Sequence, residues 1–347
     1  MTNIPKLPQG RALVTFALFA YNQEKFIREA VEGAFSQTYE PLEIILSDDY
    51  SSDRTFEIIE RMAAEYTGPH RVIVRQSQAN RGLVRHIRDV VEIASGHIVV
   101  VAAGDDISFS QRTKELVTLI DEEGSAFAAS NYSRIASDGV ILNENTFNIK
   151  SPNEFISMVN ADPKYFVIGA AAAYKKEFLE SAFYYAKSTI DCGSLYNEDI
   201  VFAAYAVATG SFPSNYKDSP LIGYRISSSS LSNFRVAGSS FNEELSLVYR
   251  EKFISSARLA SLNAVLEIAQ SHPNLYKKVR HQKIECDIRR CSIQVAAFNP
   301  KFTNRLIQLS NAKSLEELRI MLSRLFGCRF LATLRYGKNK LLGSVKW

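Results

Sequence analysis

HIVVVAAGDDIS, His97 to Ser108, is the stretch that decides the fold. Its apolar run, Ile98 to Val101, shows no polar alternation and is too short for an ordinary helix, so it reads as a strand buried on both faces. The run ends on Gly104, Asp105 and Asp106. Open α/β sheets bind ligands at the carboxyl ends of their strands, and two adjacent acids there suit a divalent cation shared with a diphosphate. A solvated turn after a strand is the plainer reading of the same residues.

Outward from this strand, the chain alternates regularly. Ala12 to Ala20 is strand-like, and Glu24 to Gln37 is expected to be a helix capped by Asn22, with Phe26, Ile27, Ala30, Val31 and Ala34 on one face. Leu42 to Ser47 forms a second strand that delivers Asp48 and Asp49 to its end, followed by a helix from Thr55 to Tyr66. Val72 to Gln76 is a third strand, and Gly82 to Ala94 a helix that leads back to the central strand. This alternation predicts a parallel sheet with right-handed crossovers. Downstream, Gln111–Glu123 is expected to be helical, Ala126–Tyr132 and Val167–Tyr174 to be strands, Lys175–Ala182 to be a short helix, and residues 133–160 to be irregular around an Asp138-Gly139 turn. Ile200–Thr209 reads as a helix that begins just after Asn197, Glu198 and Asp199, which places those acids at its positive end.

At 347 residues, with 46% hydrophobic and 22% charged residues, the chain is an ordinary globular protein with room for two domains. A net charge of +4 does not point to nucleic acid, and none is expected as a partner. The four cysteines form no CxxC, so neither a zinc site nor a disulfide framework is indicated, and a reducing cytoplasm fits. No apolar run approaches the ~20 residues of a membrane span. Serines dominate from Ser227 to Ser240, which sets the expected boundary: residues 1–232 as one domain and 233–347 as a helical C-terminal region.

Taken in order, the motifs resemble the family 2 glycosyltransferases of the GT-A fold. Those that match are Tyr21-Asn22, Ser36-Gln37-Thr38-Tyr39, Glu43, Asp48-Asp49-Tyr50-Ser51-Ser52-Asp53, Asn80-Arg81-Gly82, Ser95-Gly96, Gly104-Asp105-Asp106, Glu198-Asp199 and Tyr224-Arg225, covering about residues 12–230. The resemblance implies a Rossmann-like, mostly parallel sheet flanked by helices. It also implies an inverting, non-processive transfer of a sugar from a nucleoside diphosphate sugar to a glycan or lipid-linked acceptor, in cell-surface polysaccharide synthesis. Phe19, Tyr21, Asp49, Arg85 and Asp105 are the implied nucleotide-sugar contacts, and Asp106 with Asp105 the implied ligands of Mn²⁺ or Mg²⁺. Asp199 matches the general base, with Glu198 beside it in the catalytic pair.

Each residue also has a plainer reading. Asp48 is expected to cap a turn, Glu198-Asp199 could serve as helix N-terminal acids, and Arg81, Arg85 and Arg88 could be solvated helix charges. Ala103 stands where the family's first signature acid is usual, Tyr50 where glycine is usual and Ser227 where histidine is common. These departures keep a non-catalytic binding module open, and a sugar-phosphate nucleotidyltransferase is the second alternative. That class would carry a glycine-rich basic loop where Tyr21-Asn22-Gln23-Glu24 stands.

Residues 301–347 hold ten lysines and arginines against Glu316 and Glu317. Leu315, Leu318, Met321, Leu322, Leu325 and Phe326 recur at helical spacing among them. Such a segment suits the surface of an anionic membrane, giving a peripheral protein at the inner face, or packs its apolar stripe on the rest of the chain.

Overall fold

The computed structural model describes residues 11–145, 169–187, 198–211, 217–226, 268 and 271. These belong to one unit of the chain, residues 1–230 together with 267–279. The expected boundary at 232–233 and the basic segment 302–347 lie outside the described residues.

In chain order the elements are β1 (Val14–Ala20), α1 (Ile27–Phe35), β2 (Leu42–Asp48), α2 (Thr55–Glu65), β3 (Arg71–Gln76), α3 (Leu83–Ile93), β4 (Ile98–Ala103) and β5 (Ile107–Ser108). They continue with α4 (Arg112–Glu123), β6 (Phe127–Ile135), β7 (Ile141–Asn145), β8 (Ala172–Lys175), α5 (Lys176–Tyr185), α6 (Glu198–Thr209) and β9 (Lys217–Arg225). The class is α/β, as the alternation predicts. Strands β3, β2, β1 and β4 lie side by side and parallel, with Phe16 of β1 opposite Ile44 of β2 on one side and Val100 of β4 on the other. Every residue of β1 and β2 is buried, which is why neither strand alternates in sequence.

Past β4 the sheet changes sense. β8 pairs antiparallel with both β4 and β6, β9 runs parallel to β6, and β5 and β7 close the edges in antiparallel pairs. Of the segment 133–160 expected to be irregular, the described residues 133–145 form a hairpin around the expected turn: β6 continues to Ile135, the chain turns at Gly139 with φ +84° and returns as β7.

One face of the sheet packs Phe16, Leu18, Ile44, Leu46, Val100 and Ala102 against α1, α2 and α4 through Ile27, Val31, Ile59, Leu116 and Ile120. Helix α3 presents His86 to Phe19 and Ser47, residues of the alternate register that point to the opposite face. Asn22 does not cap α1: the helix begins five residues later, and the Asn22 side chain accepts hydrogen bonds from Ser52. With φ of +53°, Asn22 turns the chain so that the β1–α1 loop is tied to the β2–α2 loop before the helix starts.

Candidate active site

The parallel strands end together, and their ends are stitched by main-chain bonds. Asp49 N–H donates to the Ala20 carbonyl at 2.9 Å, and Gly104 N–H to the Phe19 carbonyl at 2.8 Å. Gly104 is required by close approach: a Cβ there would stand 2.5 Å from Gln23 Oε1 and 3.0 Å from the Ala20 Cβ. The turn therefore lies flat on β1 and presents Asp105 and Asp106. Asp106 is buried; its Oδ1 accepts the Arg225 backbone N–H at 2.9 Å, while Oδ2 has no hydrogen-bond partner among the described residues. Burial, and then the neighbouring Asp105 carboxylate, push the Asp106 carboxyl well above the usual range. Burial also raises Asp105, against the opposing influence of Arg225 and a Gln23 hydrogen bond.

At the end of β2 the two acids have different work. Asp48 accepts from Ser51 N–H at 2.9 Å, from the Ser51 hydroxyl and from Gln76 Nε2 at 3.0 Å, which makes it the turn acceptor expected of it. Asp49 accepts the backbone N–H groups of Arg81 and Gly82 at 2.9 to 3.1 Å, drawing the β3–α3 loop over the end of β2. Beside these acids Tyr21 is 46% exposed and Tyr50 is 55% exposed.

Glu198 and Asp199 occupy the first turn of α6, so the helix starts two residues earlier than its apolar run suggests. Glu198 is buried against Gly169, where a Cβ would meet its Oε1 at 2.2 Å. Burial, reinforced by Asp199, raises the Glu198 carboxyl to about 8. Asp199 is half-buried. The Gly169–Ala171 turn is linked to β4 by the buried Arg112, whose Nη2 donates to the carbonyls of Val101 and Ala170, both at 2.5 Å. Burial lowers that guanidinium to about 9, and Asp106 acts in the opposite direction. Arg112 thus lies between the acidic turn and the residues that back Glu198. Nothing in its position within the motif order marks it in the sequence.

Residues 15–183 match the family model for glycosyl transferase family 2. That region of the chain belongs to glycosyl transferase family 2. An uncharacterized protein of Mycobacterium tuberculosis is 42% identical over 88 residues, 25% of each chain. The UDP-Glc:alpha-D-GlcNAc-diphosphoundecaprenol beta-1,3-glucosyltransferase WfaP of Escherichia coli is 30% identical over 120 residues, 35% of this chain and 46% of that one. Among solved structures, the mannosyltransferase PcManGT of Pyrobaculum calidifontis in complex with GDP-Man and Mn2+ aligns with a TM-score of 0.49 at 14% identity, covering 97% of this chain and 90% of that one. The matches span a quarter to about half the length of these curated relatives.

Within this family 2 region, the orphaned Oδ2 of a buried aspartate beside a second carboxylate fits a divalent cation, which would supply the missing partner and remove the like-charge conflict. Among the described residues no group of three acids, histidines or cysteines forms. Two carboxylates with the rest of the shell from phosphate oxygens and water is an ordinary Mg²⁺-type arrangement. Phe19 is buried and its ring packs edge-on against His86 at 5.1 Å, which makes it part of the support of β1. Of the three arginines, Arg81 pairs with Asp89 at 3.1 Å and Arg88 lies 4.0 Å from Glu92, while Arg85 stands half-buried in the first turn of α3.

Proposed function

We propose that the protein transfers a sugar, with inversion, from a nucleoside diphosphate sugar to a hydroxyl group of a glycan or lipid-linked acceptor. The observation that carries this reading is the acidic turn of the family 2 region, with one Asp106 oxygen buried and unsatisfied. Asp105 and Asp106 would hold Mn²⁺ or Mg²⁺. When bound, that cation neutralises charge on the departing nucleoside diphosphate. Asp49 retains acceptor capacity beyond its two backbone donors and would accept an N–H of the base, with Tyr21 against the base's face. Arg85, in the first turn of α3, would contact a phosphate.

Asp199 would take the proton of the attacking hydroxyl as it approaches the anomeric carbon, and a single displacement of this kind inverts that centre. Glu198, raised to about 8, carries a proton at neutral pH and offers a hydrogen-bond donor next to that base. Two carboxyls side by side would thereby take different roles, through the burial of Glu198 reinforced by the Asp199 charge. The name of the E. coli relative places its acceptor on diphosphoundecaprenol, and the basic, amphipathic sequence of residues 302–347 supports a lipid-linked acceptor here, with peripheral attachment to the inner membrane face. Among the described residues no helix is long and apolar enough to cross a membrane.

The test is release of nucleoside diphosphate from a panel of UDP-, GDP-, CDP-, ADP- and dTDP-sugars with Mn²⁺ or with EDTA. Hydrolysis or transfer of one donor that stops with EDTA is expected. No turnover and no binding of any donor by folded protein would refute the reading.

A further inference from the structure

We infer that Tyr50 stacks on the base of the donor nucleotide and, with Tyr21, sets which base is accepted; this rests on the reading proposed above. Tyr50 has φ of +65°, a left-handed conformation that glycine adopts freely and a bulky aromatic residue adopts only under strain. Such strain persists only where the surroundings fix the backbone, and here they do so on both sides. Asp49 N–H is bound to the Ala20 carbonyl at 2.9 Å, Ser51 N–H to Asp48 Oδ2 at 2.9 Å, and the Ser51 hydroxyl also to Asp48.

The conformation is not offset by packing in the core, because Tyr50 is 55% exposed. An exposed ring held in an unfavourable backbone state gains nothing for the fold that glycine would not give at lower cost. What the strain achieves is placement. Tyr50 directly follows Asp49, whose carboxylate is drawn toward the β3–α3 loop by the Arg81 and Gly82 amides. The second exposed ring, Tyr21, sits on the loop bonded to that of Tyr50. Asn22 N–H donates to Ser51 Oγ at 2.8 Å, and Ser52 N–H donates to Asn22 Oδ1 at 2.8 Å. Two exposed tyrosines on mutually bonded loops, with the buried Asp49 carboxylate next to Tyr50 at the carboxyl edge of the sheet, suit the chemistry of a purine or pyrimidine: two π faces and an N–H edge. The diphosphate side of the donor would lie toward Asp105 and Asp106 and is not recognised by this ring.

The experiment compares wild type, Tyr50→Gly and Tyr50→Phe in the full chain, by calorimetric titration with UDP, GDP, CDP, ADP, dTDP and inorganic pyrophosphate in Mn²⁺, alongside thermal unfolding. Tyr50→Gly is expected to keep or raise the melting temperature and to weaken the preferred nucleoside diphosphate by about tenfold or more. Its affinity for pyrophosphate stays unchanged, and Tyr50→Phe, which keeps the ring, binds as wild type. Unchanged nucleotide affinity in Tyr50→Gly, or equal loss for nucleotide and pyrophosphate, overturns the assignment while leaving the proposed function standing. Failure of the wild type to bind any of the five nucleotides overturns both.

Discussion

Arg225 donates its backbone N–H to Oδ1 of Asp106 at 2.9 Å across 119 positions of sequence, and its Nε to the Asp105 carbonyl at 2.8 Å. The same guanidinium reaches the carbonyls of Ala136 and Ser137 and the carboxylate of Glu29, and lies 4.7 Å from the Phe26 ring centre. The side chain therefore joins α1, the β6–β7 turn and the end of β9 to the acidic turn, while the backbone N–H of the same residue occupies one Asp106 oxygen and the other stays unsatisfied. Arg225→Ala is expected to destabilise the protein by about 3 kcal/mol, since it strips a buried cation from several acceptors at once. Denaturant unfolding midpoints would show it, and a loss under about 1 kcal/mol would mean water replaces these bonds freely.

Asp106→Asn should behave in the opposite way. The carboxyl is raised by burial and by Asp105, so a neutral amide of the same shape relieves the fold even as it removes a cation ligand. Unchanged or higher stability, together with loss of Mn²⁺-dependent nucleotide binding, is expected. Wild-type nucleotide affinity in Mn²⁺ would place the cation elsewhere.

Asp199→Asn is expected to keep donor affinity and lower turnover by about 10²-fold or more, the pattern of a base used only in the transition state. Turnover within a few-fold of wild type would leave Asp199 as a helix-start acid only.

Much of this arrangement is legible in the sequence, and the rest is hidden there for identifiable reasons. The unbroken apolar runs of β1, β2 and β4 announce strands buried on both faces, and the acids that follow them are found at their ends. The end of β6, Ser133 to Ile135, runs past the expected strand end at Tyr132, because Ser133 is polar yet buried and interrupts the apolar pattern. β9 carries Pro220 and Gly223, residues that argue against a strand; the register against β6 shifts around Pro220, while Gly223 pairs regularly with Ser133. No motif singles out Arg112, and Arg225 enters the sequence reading only as part of the Tyr224-Arg225 pair. Their roles come from carbonyls contributed by distant segments, which no local pattern encodes.

Gly169→Ala probes Glu198 without touching it. A Cβ at that position would stand 2.2 Å from Glu198 Oε1, and the end of a flexible side chain moves aside at little cost. Stability within about 1 kcal/mol of wild type and a shifted alkaline limb in the pH profile of turnover are expected, because the displaced carboxyl leaves the burial that raises it. An unchanged profile would show that Glu198 plays no part in the reaction.

The last prediction concerns His86, which no motif singles out. Its ring is buried between Phe19 and Ser47, with Nε2 2.5 Å from Ser47 Oγ, and Arg75 Nη1 donates to that same hydroxyl at 2.8 Å. Burial first, and then the Arg75 charge, lower its pKa from 6.5 to about 4. The imidazole is therefore neutral in the folded protein and ionises readily only once unfolded. Between about pH 6.5 and 4 the unfolded chain binds the extra proton, so this group's contribution to stability is intact above that window and falls as pH falls through it. The full span is worth about 3 kcal/mol at about 1.4 kcal/mol per pH unit. Carboxylates add their own acid dependence below about pH 5, so the quantity to measure is the difference between wild type and His86→Gln in denaturant unfolding at pH 7.5, 6.5, 5.5 and 4.5. The wild type should lose more stability than the variant across that series. Parallel curves would mean that His86 takes up its proton without leaving the fold, through rearrangement of the Ser47 and Arg75 contacts.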